Sequence, residues 1–443
     1  MRSSLIVLLL SLVSATAHAL TVDDAIKLAL SRSHGNVRGR ELEEQAQAAH
    51  DTALSVRSRM LFSLHAGEEL QRYNCPYGVS LTLLVGACVD DLPADPNGIA
   101  PLIERNATTN TFVVSADQPV LGLLRLHQDY VAQARNADSI AENVNADDAR
   151  LVEAVRNGFL RYFEAVAAEG VAKDSETELA EQVQVALARE KNGVITIADR
   201  LRVQVALANA HQQRVAAHAE AEIARTNVLD TIGLSTDDDS IVLEEPAQLL
   251  AEAAQPMPAR AAATRDAETR RPEVRQAENS YEAAVAAHRS RVFAMLPDVD
   301  VEAAYTRIDG EILSPKSSWF VGINAQWTFW AWGADYFAQR SAAHQETAAE
   351  LALEDQKRQI AVGVHTAFAN LDAATAAVDA AQQAIDSANE AYRVTAELAK
   401  AGTATTTDLL NAQSELTTAR LNLSRSRYEQ AMARVTLRRL TGD

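Results

Sequence analysis

The feature that most constrains this chain is a nine-residue motif that occurs twice. Residues 191–199 read KNGVITIAD and residues 400–408 read KAGTATTTD, so Lys, Gly, Thr and Asp recur with an offset of 209 residues. Each copy interrupts a long helical pattern, and a second helical pattern follows it. Glycine just past a helix end supplies a left-handed cap, and Asp with Thr before it suits the start of the next helix. Each copy therefore predicts the tip of an antiparallel helical hairpin.

The same offset relates residues well outside the motif. The corresponding pairs are Val155 and Val364, Phe159 and Phe368, Ala165 and Ala374, and Gly233 and Gly442. Self-similarity at a fixed offset indicates repeated architecture. We therefore expect a tandem duplication, with a first repeat at 20–245, a linker at 246–271 and a second repeat at 272–443.

The beginning of the chain has the pattern of an exported protein. Arg2 precedes a mostly apolar run from Leu5 to Val13, and Ala17-His18-Ala19 provides a small-x-small cleavage site. This pattern predicts a signal peptide at 1–19. The formal net charge of −19 argues against nucleic acid as a partner. No later run reaches the length of a membrane-spanning helix, so an exported chain of this kind is either soluble or crosses a membrane as a β-barrel.

Alternation of apolar and polar residues predicts four strands in two pairs. The predicted strands are 59–70, 109–118, 298–307 and 317–329. Between the first two lies a proline-rich loop, 71–108, which contains both cysteines of the chain, Cys75 and Cys88. In an exported protein these most simply form one disulfide, and a two-cysteine metal site is the alternative.

Long helices account for most of the remaining sequence. From Ile360 to Ala399 the apolar positions follow a strict 4,3,4,3 spacing, in which larger residues alternate with Ala, and Leu409–Leu423 continues it. This period of 3.5 residues is typical of coiled-coil packing. The predicted fold class is therefore mainly α with a small β part, built from two long helical hairpins and four strands.

Four strands are too few for a membrane barrel, because the smallest known barrels have about eight. Several chains must therefore pool their strands, and two, three or four copies would supply eight, twelve or sixteen. Within such a barrel Trp319, Trp327 and Phe329 would face lipid, with the Trp rings near its interfaces. Asp298, Asp300 and Glu302 would face the lumen.

Three further stretches resemble one known family. They are Leu20–Ala25 (LTVDDA), Arg271–Arg275 (RPEVR) and Gly402–Asn411 (GTATTTDLLN). The chain resembles the TolC-like outer-membrane efflux proteins over its whole mature length. The resemblance implies a homotrimer whose twelve strands form one barrel in outer-membrane lipid, with helices that continue as a tunnel through the periplasm. It also implies docking of the tips to a periplasmic adaptor and an inner-membrane pump. We expect no cofactor.

The resemblance also assigns roles at the tips. Asp408 corresponds to a position that lines the pore constriction, and Asp199 to a position in the network that holds neighbouring hairpins closed. Asn411, one turn beyond Asp408, would add a polar ring. The residues expected to contact the adaptor are Lys191, Gly193, Thr196, Lys400, Gly402 and Thr405. The alternative for both aspartates is that they cap the helices that follow.

This sequence departs from the family pattern at several positions. The first outer loop is long, and Gln326-Trp327 stands where the family often has Gln-Pro. Asn411 and Ala404 replace an Asp and an Arg that some relatives carry. These departures bear on gating and leave the expected fold unchanged.

Other functional classes find little support in the sequence. No phosphate loop, GxSxG or HExxH motif occurs, so we expect no enzyme activity. His211 and His218 lie seven residues apart on one helical face, either as a metal pair or as solvated residues. A periplasmic coiled-coil adaptor, or a structural envelope protein without a pore, is the alternative function. The cargo, whether drug, metal ion or secreted protein, is left open.

Overall fold

The computed structural model describes residues 19–31, 37–94, 97–238, 240–256, 259–312 and 314–442. The predicted signal peptide, apart from Ala19, lies outside the described residues. The chain is mainly helical with a smaller strand portion, as predicted. Among the described residues, no helix is both long enough and apolar enough to cross a membrane.

Along the chain, helices flank two groups of strands, β1–β4 and β5–β6. The helices are α1 Val22–Leu30, α2 Val37–Ser58, α3 Gly122–Lys191, α4 Ile197–Ile232, α5 Ala247–Ala253, α6 Arg260–Arg270, α7 Pro272–Phe293, α8 Ala334–Lys400 and α9 Thr406–Thr441. The strands are β1 Ser63–Arg72, β2 Tyr77–Ser80, β3 Val85–Cys88, β4 Leu102–Pro119, β5 Asp298–Glu311 and β6 Ser317–Gln326.

The chain forms two compact units, and each draws on both halves of the sequence. The first, here called the tip unit, comprises the described residues within Met1–Glu44, Ala141–Arg275 and Asp355–Asp443. The second, the sheet unit, comprises Gln45–Ile140 and Gln276–Glu354.

Apolar side chains hold the tip unit together in several small clusters along its helices. One cluster joins α1, α3 and α4 through buried residues that include Ala25, Phe159 and Val228. On α8, Ile360, Val364, Ala367 and Leu371 are buried. The 4,3,4,3 stripe read from the sequence therefore marks the packed face of this helix.

The expected linker at 246–271 contains two helices, α5 and α6. The segment was expected to be a linker with no assigned helix, and the two helices correct that expectation. Its apolar residues Leu249, Leu250 and Ala253 pack against α9 beside Tyr428 and Ala431. Isolated helices as short as α5 are marginal in water, so packing against α9 is what stabilises α5.

The sheet unit contains one antiparallel sheet. In it β1 pairs with β4, β4 with β5, and β5 with β6, so these four strands form the order β1-β4-β5-β6. The short strands β2 and β3 pair with each other, and β2 also pairs with the beginning of β4. The predicted loop 71–108 is therefore partly strand. The predicted strand at 109–118 begins earlier, at Leu102, because β2 provides it with a partner.

The other strand boundaries also differ from the prediction for reasons of pairing. The predicted strands 59–70 and 298–307 are Ser63–Arg72 and Asp298–Glu311 in the structure. The predicted strand 317–329 ends at Gln326, which pairs with Asp298, the first residue of β5. Pro297 precedes that residue, so Trp327 and Phe329 have no partner strand and lie beyond β6. The indole Nε1 of Trp327 instead donates a hydrogen bond to the Met295 carbonyl oxygen at 3.3 Å.

Candidate functional site: duplicated helical tips and a two-faced sheet

The first tip ends α3 with a glycine in the left-handed conformation. Gly193 has a φ of 71°. Its N–H donates to the Glu190 carbonyl at 2.8 Å, and the Val194 N–H donates to the Arg189 carbonyl at 2.9 Å. This pair of hydrogen bonds is the Schellman motif, which satisfies carbonyl groups at a helix end.

The second tip ends α8 in the same way. Gly402 has a φ of 79°, and its N–H donates to the Ala399 carbonyl at 3.3 Å. The Thr403 N–H donates to the Leu398 carbonyl at 2.9 Å. The Thr403 hydroxyl also donates to that carbonyl at 3.0 Å. The motif repeated in the sequence thus builds the same backbone turn twice.

Both helices that follow the tips begin with a capping box. The Asp199 N–H donates to the Thr196 hydroxyl at 3.2 Å, and the Thr196 N–H donates to the Asp199 carboxylate at 3.2 Å. Thr405 and Asp408 make the same reciprocal bonds at 3.2 and 2.9 Å. The N-cap is therefore the threonine, and the aspartate is three residues later, whereas the sequence interpretation gave the capping role to the aspartate.

These hydrogen bonds stabilise the charged form of both aspartates. The Thr196 hydroxyl, followed by the Thr196 backbone N–H, holds the pKa of Asp199 below its usual value. The Thr405 hydroxyl and then its N–H lower the pKa of Asp408. Both side chains are therefore carboxylates at neutral pH.

The two aspartates differ in their neighbouring charge. Arg202 lies one turn beyond Asp199, and its Nη1 is 3.2 Å from the carboxylate. With the offset of 209, the position of Arg202 corresponds to Asn411, which is exposed and uncharged. Within the described part of the chain, no cationic side chain lies within ion-pair distance of Asp408, which is itself exposed. Asp408 therefore carries the uncompensated charge of the pair.

Arginines that the sequence interpretation did not single out connect the two tips. Arg189 donates from Nη1 to the Ala399 carbonyl at 3.1 Å, and Arg202 donates to the Thr407 hydroxyl at 3.5 Å. Further from the tips, Gln182 donates to the Gln413 side chain at 3.4 Å. Aligning the two copies at the offset of 209 would have identified Arg202, because its counterpart is uncharged.

A groove of about 460 Å³ lies beside the tips, between the ends of α3 and α8. Its lining includes Tyr392, Arg393, Glu397 and Lys400. Of the residues expected to contact an adaptor, Lys400 lines this groove. The others have different roles or positions: Gly193, Gly402, Thr196 and Thr405 form the caps described above, and Lys191 is exposed at the end of α3.

The two histidines considered as a metal pair have carboxylate partners on the neighbouring helix. His211 Nδ1 lies 2.7 Å from Glu176, and His218 Nδ1 lies 3.1 Å from Glu169. Across the described ranges, no group of three or more His, Cys, Asp and Glu side chains is arranged to hold a metal ion. Each histidine therefore lies in a separate His–Glu contact between α4 and α3.

Strand pairing gives the sheet one largely apolar face. Residues directly opposite each other share a face, and Trp319 lies opposite Tyr305, which lies opposite Val114. The members of this face are Leu64, Ala66, Phe112, Val114, Ala116, Val299, Val301, Ala303, Tyr305, Trp319, Val321, Ile323 and Ala325. The charged exceptions are Glu68 and Arg307, which both lie opposite Phe112, and Asp309, which lies opposite Asn110.

The other face of the sheet is mostly polar and acidic. Asp117 lies opposite Glu302, and Asp300 lies opposite Asn324. His65 Nε2 is 3.6 Å from the Asp117 carboxylate on this face. Beyond β6, Trp330, Trp332, Tyr336 and Phe337 are all exposed aromatic residues that the sequence interpretation did not include.

A disulfide joins Cys75 to Cys88, with the two Cα atoms 5.6 Å apart. It closes the segment that contains β2 and β3. No metal site involving these two cysteines is present in the described structure.

The chain is similar to known proteins both in sequence and in fold. Residues 263–443 match the sequence model of the family described as outer membrane efflux protein. The second half of the chain carries this family's sequence pattern. The chain therefore resembles the TolC-like efflux proteins in its second half by sequence, and the matched region includes the second tip. No curated protein sequence matches the chain.

Solved structures extend the resemblance to nearly the whole fold. The outer membrane protein VceC from Vibrio cholerae has 14% identity and a TM-score of 0.77, with 95% of this chain and 96% of that chain covered. The MtrE outer membrane channel of Neisseria gonorrhoeae has 17% identity and a TM-score of 0.76, with coverage of 95% and 88%. CusC has 14% identity and a TM-score of 0.77, with coverage of 95% and 92%. At these identities the comparison establishes a shared fold.

Proposed function

We propose that this protein is an outer-membrane channel that acts as the exit duct of a tripartite efflux or type I secretion system. The observation that carries the proposal is the two-faced sheet. Its apolar face suits lipid and its acidic face suits a water-filled lumen. The match of residues 263–443 to the outer membrane efflux protein family supports the same location and role.

The edges of the sheet support assembly from several copies. In the described structure, β1 pairs along one edge with β4, and β6 pairs along one edge with β5. Each therefore leaves a long edge open, which is a template for pairing with another chain. Because all three pairings are antiparallel, β6 runs antiparallel to β1. The β6 strand of one copy can therefore continue the sheet at β1 of the next.

Repetition of this contact closes a ring with four strands from each copy. The resemblance to the TolC-like efflux proteins favours a homotrimer with twelve strands. The helices of the tip unit would then extend into the periplasm, where the tips would meet a periplasmic adaptor and an inner-membrane pump. The groove lined by Lys400 and Glu397 is a suitable surface for that contact.

The tips would provide the gate of such a channel. Asp408 is exposed and has no cationic neighbour, so three copies would place three carboxylates around the axis. Like charges at short distance raise one another's pKa and attract cations. Asp199 would act differently, because Arg202 both neutralises it and contacts Thr407 of the second tip.

A periplasmic adaptor or a structural envelope protein without a pore is the alternative. Neither function requires an antiparallel sheet with one apolar face and two open edges. The test is purification of the full-length protein from outer membranes, mass measurement of the complex and conductance recording in planar bilayers. A trimer with stable single-channel conductance is expected. A monomer that remains in the periplasmic fraction and does not conduct would favour the adaptor.

A further inference from the structure

The segment closed by the disulfide is a small, well-defined hairpin. We call it the cystine hairpin, Cys75–Val89, and it contains β2 and β3 joined by a turn at 81–84. Ser80 pairs with Val85 at the base of this turn. The Leu84 N–H donates to the Ser80 carbonyl at 2.9 Å, and the Leu83 N–H donates to the Ser80 hydroxyl at 3.3 Å.

The tip of this hairpin presents large apolar side chains to solvent. Leu84 is 83% exposed, and Leu81, Leu83 and Val85 are also exposed. Leu84 has a φ of 52°, in the left-handed region that favours Gly, Asn or Asp over a bulky side chain. Strain of this kind in an ordered turn is a reason to look for a function.

The cystine hairpin is also free of charge. No Asp, Glu, Lys, Arg or His occurs from Cys75 to Val89, although the chain as a whole has a formal charge of −19. A second copy of the same chain can therefore approach the hairpin without electrostatic repulsion. An exposed apolar patch of this kind marks an interaction site.

Strand order shows which side of the sheet the hairpin occupies. Arg105 of β4 pairs with Tyr77 of β2 and also with Glu311 of β5. Therefore β2 lies on the edge of β4 away from β5, which is the edge that β1 also occupies. The strand β3 lies beyond β2 on that side. The cystine hairpin thus extends the sheet towards the side on which the next copy would join.

The hairpin lies beyond the part of the sheet that would cross the bilayer. The β1–β4 pairing ends at Arg72 and Thr108, whereas β2 pairs with residues 102–105. The ten residues of β1 span about 33 Å along the strand, which at a tilt of about 40° covers the apolar band of roughly 25 Å. Protein is therefore a better occupant for the hairpin tip than lipid chains.

We propose that the cystine hairpin of one copy docks on the turn between β5 and β6 of the next copy. This inference rests on the proposed channel assembly. Pairing of β6 with the next β1 places the beginning of β6 near the end of β1, and therefore beside β2 and β3. Ile312, 53% exposed just after β5, offers an apolar surface there. The docked hairpin forms a clasp between neighbouring subunits outside the membrane.

Photo-crosslinking in the full-length protein tests the clasp. A benzoylphenylalanine at position 83 is illuminated in isolated outer membranes, and the products are separated on denaturing gels and mapped by mass spectrometry. Covalent dimers joined to the β5–β6 turn of a second chain are expected. The same group at position 305, on the apolar face of a central strand, is the control and should label lipid.

A matched substitution separates folding from docking. Leu84→Asn keeps a residue that accepts positive φ and removes the apolar side chain. The yield of dimers from position 83 should fall by about tenfold, as expected for loss of one buried leucine, while trimers still form. Adducts to lipid alone, no adducts, or an unchanged yield in Leu84→Asn would overturn the clasp. These results in trimers that conduct would leave the channel function intact, whereas absence of trimers and conductance would overturn the proposed function.

Discussion

Asp199 and Asp408 occupy the same position in the two copies of the motif and make the same reciprocal bonds to a threonine. Their surroundings differ by one substitution, since Arg202 in the first copy corresponds to Asn411 in the second. A carboxylate beside a guanidinium contributes little net potential, whereas an isolated one attracts cations from solution. The two copies of the motif thus carry one neutralised and one uncompensated aspartate.

We expect Asp408→Asn to reduce cation selectivity and block by multivalent cations, because it removes the charge and keeps the size of the side chain. The measurement is the reversal potential of reconstituted channels under a salt gradient. The double variant Asp199→Asn/Arg202→Asn is the matched control and should leave selectivity nearly unchanged, since it removes an ion pair with no net charge. Equal effects of Asp408→Asn and the double variant would contradict this assignment.

The Thr405 hydroxyl is the largest cause of the lowered pKa of Asp408. Because a lowered pKa keeps the carboxylate charged to more acidic pH, wild-type channels should lose selectivity only as pH falls through that value. Thr405→Ala removes the hydroxyl, so the pKa of Asp408 rises and the midpoint of this loss should move to higher pH. Recordings across an acidic pH series measure the midpoint, and a midpoint that stays in place would count against the capping bond.

The same hydrogen bonds also define where the long helices stop and start. At each tip a glycine with positive φ ends one helix, and a capping box begins the next. Nothing lies within 4 Å of a Cβ built on Gly402, so its requirement is one of backbone conformation alone. Gly170, inside α3, also has open space around it but has ordinary helical geometry.

Gly402→Ala should therefore destabilise the second tip by about 1–2 kcal/mol, the cost of a left-handed conformation for a residue with a Cβ. Gly170→Ala should have the opposite sign, with a gain of about 1 kcal/mol from better helix propensity. Thermal unfolding followed by circular dichroism gives the order of the two variants and wild type. Any stabilisation in Gly402→Ala would contradict the left-handed cap.

The elements that the sequence predicted well are those whose pattern is long and local. The two tips are set by Gly and Thr-x-x-Asp within nine residues, and the α8 stripe repeats over many turns. The end of β6 was missed because it depends on a distant residue, Pro297, which delays the partner strand. The hairpin β2–β3 was missed because its strands, Tyr77–Ser80 and Val85–Cys88, have only four residues each and are too short to show a clear alternation.

The candidate site was predicted in the same uneven way. Asp199 and Asp408 stand out because the motif repeats them. The importance of Arg189 and Arg202 depends on contacts with Ala399 and Thr407, more than 200 positions away in the sequence. No local pattern records such a contact.

In the proposed channel, the face of the sheet on which a strand residue lies determines whether it contacts lipid or the water-filled lumen. Asp300 and Asn324 lie opposite each other on the acidic face, and Ile323 lies opposite Val301 on the apolar face. A shift of one residue in pairing would exchange these faces. Neighbouring positions of β6 should therefore differ in their exposure to water in the proposed channel.

Single cysteines at positions 300, 324 and 323 test this arrangement in intact membranes. Positions 300 and 324 should react with a water-soluble maleimide, because they face the lumen, and position 323 should react slowly, because it faces lipid. The native cysteines are joined to each other and should give no background. The reverse labelling pattern would place the acidic face on the outside.

The two open edges, β1 and β6, have a consequence for cells that carry two versions of this gene. A subunit with a normal β1 and a damaged β6 can still join a neighbour, but it prevents closure of the ring. In a mixed population only assemblies drawn entirely from intact subunits would function, so their share would fall as the cube of the intact fraction in a trimer. Such a variant would act as a dominant inhibitor, whereas deletion of one gene copy would merely reduce the amount of channel.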